Sequence, residues 1–144
     1  MIEQDTIRLL RECDSGVKMG LSAIDDVILQ VNDPDFRNLL GNYKGKYESL
    51  DGQLQELLDK YRDEGKEPSP IAKGMSKMKT GIKLMSDNSD SSIADLLTDG
   101  NNMGVKSLSR YLNQYTAADE KSKNITKKLI QLGEDLTKEI RSYL

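Results

Sequence analysis

Histidine and tryptophan are absent from this 144-residue chain, which holds one cysteine, one phenylalanine and three prolines. Each shortage excludes something. A nucleophilic thiol needs a neighbouring base, and Cys13 has no imidazole to serve it; a lone cysteine also cannot build a disulfide framework. A run of about 18 apolar residues, the length that begins to suggest a membrane span, occurs nowhere, and no basic stretch leads into a long apolar run near the start. The sequence thus signals no membrane span and no export, and a cytoplasmic location is expected. Positive charge is not in excess: 21 Lys and Arg stand against 24 Asp and Glu, a net charge of −3. Nucleic-acid binding concentrates positive charge on one surface, so no nucleic-acid partner is expected. No glycine-rich phosphate loop occurs, and the oxygen-rich string DNSDSS lacks the glycine and the distal glutamate of a calcium loop.

What the chain has in quantity is helical periodicity. Leu10, Cys13, Val17, Gly20, Ile24, Val27 and Val31 follow in steps of three and four, the seam of a helix packed in a bundle, and predict a first helix over 2–31. In NDPD, Asp33 suits an N-cap and Pro34 stands where its missing N–H costs nothing. A second helix over 34–64 carries Phe36, Leu40, Tyr43, Tyr47, Leu50, Leu54, Leu57 and Tyr61. GKEPSP then breaks the pattern, and a shorter helix over 70–86 fits Ile71, Met75, Met78, Ile82 and Met85. After SDNSDSS, with Ser91 or Ser92 as cap, a helix over 91–116 shows Ile93, Leu97, Gly100, Gly104, Leu108, Tyr111 and Tyr115 on one stripe. The last helix, 118–143, carries Ile125, Leu129, Leu132, Leu136 and Ile140. All of this suits a single domain over 1–144, a length that buries roughly 70% of the surface its unfolded chain exposes.

GVKMGLSAI at 16–24 returns 84 positions later as GNNMGVKSL at 100–108, with Gly, Met and Gly in matching places. Short turns make the first pair and the last pair of bundle helices antiparallel neighbours. Between the pairs, a helix of about 16 residues spans roughly 24 Å and can carry the chain back along the bundle. Two hairpins related by a pseudo-two-fold axis follow, with the first and third helices antiparallel. Glycine inside a helix costs about 1 kcal/mol relative to alanine, so matched pairs at Gly16/Gly20 and Gly100/Gly104 predict close packing around tyrosine rings.

The phrases LLRECDSGVKMG, VNDPDFRNLL and SIADLLTDGNNMGVKSL resemble a bacterial branch of the ferritin-like superfamily known as a domain of unknown function. The resemblance covers nearly the whole chain and rests on structural motifs. It implies an all-α fold: a ferritin-like four-helix bundle with a long crossover between the second and third helices that contains an additional short helix. In the superfamily a Glu from each of the first and third helices, with a Glu-x-x-His from each of the others, holds two metal ions. This sequence departs from that pattern, since the inward positions inferred at mid-bundle are Val17, Gly20, Tyr47, Leu50, Gly100, Gly104, Leu129 and Leu132. No metal ligand set, cofactor or catalytic residue is therefore expected.

Two candidate regions remain. Gly20, Tyr43, Tyr47, Gly104 and Tyr111 are the candidate lining of a core cavity, glycines making room beside tyrosine hydroxyls. Lys73, Met75, Lys77, Met78, Lys79 and Ile82 are the candidate interaction face of the crossover, a basic stretch with a methionine-rich stripe. That stripe either docks on the bundle or meets a partner. The function expected is a non-enzymatic protein-interaction or structural module, with a protein partner or self-association. The alternative is a metal-binding or stress-related ferritin-like protein with an oxygen-only carboxylate site.

Overall fold

The computed structural model describes residues 4–66 and 89–144. These form four long helices and no strand: α1 Gln4–Val27, α2 Pro34–Lys60, α3 Asp90–Gln114 and α4 Glu120–Ile140. Single 3-10 turns follow α1 at Ile28–Gln30 and α4 at Arg141–Tyr143. Short polar side chains start three of the helices by taking up amides that have no partner within the first turn. Asp33 accepts from Asp35 N at 2.8 Å with Pro34 behind it, and Asp119 accepts from Ser122 N at 2.8 Å. For α3 the cap is Ser89, which accepts from Ser92 N at 3.2 Å, in place of the expected Ser91 or Ser92. The helix can start earlier because Asp90 then stands at its positive end. At its other end α2 stops at Lys60, short of the expected 64, where Arg62 turns to φ 55° and leaves helical geometry.

Hydrogen bonds between termini establish which way each helix runs. Both carboxylate oxygens of Asp90 accept backbone amides of the first turn region, Asn32 N and Asp33 N, each at 2.8 Å, so α3 begins at the end where α2 begins. At the opposite end Asp119 N donates to Thr6 Oγ1 at 2.8 Å and Ala117 N to Asp5 Oδ2 at 3.2 Å, joining the α3–α4 turn to the start of α1. Phe36, at the start of α2, stacks on Tyr143 beyond α4 with centroids 4.4 Å apart. Consequently α1 and α4 run one way and α2 and α3 the other, and the chain leaves α2 at one end of the bundle and enters α3 at the other. The helix expected over 70–86 lies outside the described residues. Both α1 and α4 pack against all three other helices, whereas α2 and α3 flank them on opposite sides.

The core follows the predicted seams with local corrections. Leu10, Cys13, Val17, Ile24, Val27 and Val31 are buried, as are Phe36, Leu40, Tyr43, Tyr47, Leu50 and Leu54. Leu58 takes the fully buried place expected of Leu57, which packs at the core's edge. The glycine repeat has a different meaning from the one expected. A β-carbon on Gly20 would stand 3.0 Å from the Tyr47 ring, and one on Gly16 3.3 Å from Leu129, so the first pair does make room for neighbours. Gly100 is exposed, and a β-carbon on Gly104 would meet nothing within 4 Å. The glycine that the second hairpin uses is Gly133 on α4, where a β-carbon would stand 3.0 Å from Val105 Cγ2 of α3. In the first hairpin the earlier helix carries the glycine and the later one the bulky group; in the second hairpin the roles are exchanged. Equal spacing in sequence therefore did not carry equal packing, because α3 turns Val105 rather than Gly104 toward α4.

Candidate functional site

The five residues expected to line a cavity separate into different surroundings. Gly20 and Tyr47 meet directly, and burial pushes the Tyr47 phenol up to about 12. Tyr43, four residues earlier on α2, is buried with its hydroxyl donating to Glu139 of α4. Its pKa is raised by burial first and then by that carboxylate. Tyr111 stacks on Tyr115, centroids 6.1 Å apart, at the far end of α3, and Gly104 faces open space. Among the described residues a contact joins Gly20 to Tyr47, and none is seen from that pair to Gly104 or Tyr111. A shallow groove of about 350 Å³ lies instead at the end of the bundle where α2 starts, lined by Asp35, Asn38, Leu39, Asn42, Glu139 and Tyr143. The interaction face at Lys73, Met75, Lys77, Met78, Lys79 and Ile82 lies outside the described residues.

Direct contact between α1 and α4 fills the bundle axis. Cys13 Sγ lies 3.1 Å from Thr126 Oγ1, and Thr126 Oγ1 donates to Ser122 O at 2.8 Å. A hydroxyl has one proton, so the thiol is the donor in the Cys13–Thr126 pair. Burial pushes this thiol up to about 12, which keeps it protonated at neutral pH. One turn along, Gly16 is closed over by Leu129 and Leu108. The residues at this depth do not fit the paired metal ions of the ferritin-like pattern. Among the described residues no group of three His, Cys, Asp or Glu stands together as a ligand set.

Asp14 is the functional group that periodicity missed. It sits one position past Cys13, at the margin of the seam, yet its residue is 0% exposed. Its Oδ1 accepts from Gln55 Nε2 of α2 at 2.8 Å, and its Oδ2 accepts from Lys18 Nζ and from Lys66 N, each at 2.9 Å. Three donors from α1, α2 and the stretch after α2 thus converge on one buried carboxylate, which satisfies the requirement that a buried charge be paired and hydrogen-bonded. Around it, Arg11 donates to both oxygens of Asp63 at 2.7 and 3.1 Å, and Lys66 Nζ pairs with Glu12 at 2.7 Å. The Arg11 guanidinium holds the Asp63 carboxyl below its ordinary value, and Glu12 raises the Lys66 ammonium. The sequence held a faint signal of this cluster: Asp14 and Lys18 at i and i+4, and Gly65 just beyond a helix end. Neither placed Asp14 indoors, since only the fold brings residues 14, 55 and 66 together.

No family model, curated protein or solved structure matches this chain.

Proposed function

We propose that the chain is a non-enzymatic bundle of the ferritin-like kind, working in the cytoplasm as a protein-interaction or structural module. The observation that carries this reading is the closed axis. Where a ferritin-like enzyme would hold its reactive centre, Cys13 meets Thr126 and Leu129 covers Gly16. The helix directions agree with a bundle that has one long crossover, and the buried carboxylate of Asp14 commits both oxygens to donors of its own chain. Binding at the surface is the role left to such a protein, and the stretch with Lys73, Lys77 and Lys79 is the basic element proposed to carry it. The alternative, an oxygen-only metal site, has no observation of comparable weight.

Sedimentation velocity over a range of concentrations tests the reading. The expected result is association, with itself or with a co-purifying protein, that weakens in high salt and when Lys73, Lys77 and Lys79 are reversed to Glu. Stoichiometric iron, manganese or zinc in the purified protein, or a rise in melting temperature on adding these ions, would sink it in favour of the metal-binding alternative.

A further inference from the structure

Residues 62–66 cross from the end of α2 onto α1, and the contacts that hold them there are mainly polar. Lys66 contributes its amide to Asp14 and its ammonium to Glu12, while Asp63 takes two hydrogen bonds from Arg11 and one, at 3.0 Å, from Gly65 N. The backbone in this stretch is left-handed twice, at Arg62 with φ 55° and at Gly65 with φ 80°. The first belongs to the closing turn of α2, where Arg62 N donates to Asp59 O at 3.0 Å and Asp63 N to Leu58 O at 2.9 Å and a left-handed residue is usual. At Gly65 a β-carbon would collide with Asp14 Oδ2, so any side chain there forces that carboxylate out of its place. Closing the stretch also removes Asp14 from water, and dehydrating a carboxylate offsets much of what its partners return.

We propose that residues 62–66 form a strap that opens and closes over α1 as a unit of its own, with the Asp14 carboxylate as its latch. Two features make the opening local. Lys18 and Gln55 remain on Asp14 when the Lys66 amide leaves, so the charge is never stranded. The helices beneath are held by apolar burial, in which Leu9, Leu10, Val17 and Leu54 are essentially unexposed and which does not depend on the strap's polar contacts. Charge is what the latch recognises: a carboxylate accepting an amide and an ammonium on one oxygen makes stronger hydrogen bonds than a neutral acceptor of the same shape.

Amide hydrogen exchange on the full chain, compared with Asp14→Asn, tests this. Protection of the Lys66 amide should fall by about tenfold or more in the variant, while amides in the middle of α4, such as those of Thr126 and Leu129, keep theirs. Arg11→Ala, a change at a half-exposed side chain that the bundle tolerates, should loosen the Gly65 and Lys66 amides in the same direction even if Asp14→Asn folds poorly. An equal loss of protection at Lys66 and throughout α4 in both variants overturns the strap as a separate unit. Unchanged exchange at Lys66 overturns Asp14 as its latch.

Discussion

Tyr47 fills the space that Gly20 leaves: its Cε1 stands 3.0 Å from where a β-carbon of Gly20 would be, and its Cζ 3.2 Å. The ring is almost wholly buried, so it has little room to withdraw. Gly20→Leu should therefore overpack the α1–α2 interface and destabilise the protein by about 1–3 kcal/mol, although leucine is the better helix former. Gly104→Ala should do the reverse and stabilise by up to about 1 kcal/mol, since its β-carbon meets nothing and only propensity changes. Denaturant midpoints at constant slope read both. Destabilisation at Gly104 would restore the symmetric packing that the repeat suggested.

A second pair of glycines separates backbone conformation from space. Gly65 has φ 80° and abuts Asp14, so Gly65→Ala should cost more than about 1 kcal/mol through strain and collision together. Gly52, helical and with nothing within 4 Å, should gain stability on the same change. Thermal melts of the two alanine variants should shift in opposite directions, and a shared direction would contradict the assignment.

Alkaline pH should destabilise the protein through buried groups that include Cys13 and Tyr47. Cys13 has its pKa raised from an ordinary 9.0 to about 12, and Tyr47 from 10.0 to about 12, both by burial. The folded state prefers the protonated form of each. Their contribution is therefore complete below the unfolded values and is lost as pH rises through the folded ones, across about pH 9 to 12. Cys13→Val should flatten the first part of that loss, in a stability profile measured by denaturant titration at each pH. A profile identical to that of the unmodified chain would mean that Cys13 ionises without hindrance. The acid side has the opposite sign. Asp63, held down by the Arg11 guanidinium, adds stability above its unfolded value that disappears as pH falls through the lowered one.

Periodicity determined the large features of this protein because apolar spacing is a local property. Steps of three and four placed all four described helices within a few residues of where they stand, and NDPD and the polar stretch before α3 marked the starts of α2 and, to within a few residues, α3. The buried cysteine was legible for the same reason, since Cys13 continues the seam from Leu10 to Val17. What the sequence could not decide was the rotation of each helix about its axis and the company kept by residues distant in the chain. Gly100 and Gly104 copy Gly16 and Gly20 in spacing, yet only the docking of α3 on α4 sent Val105 into the Gly133 notch and left Gly104 facing open space. Asp14 lies one residue off the seam, where apolar spacing is silent about burial. It is buried because the fold brings Gln55 and the Lys66 amide, 41 and 52 residues away, to its two oxygens, and a carboxylate goes indoors only where such donors meet it.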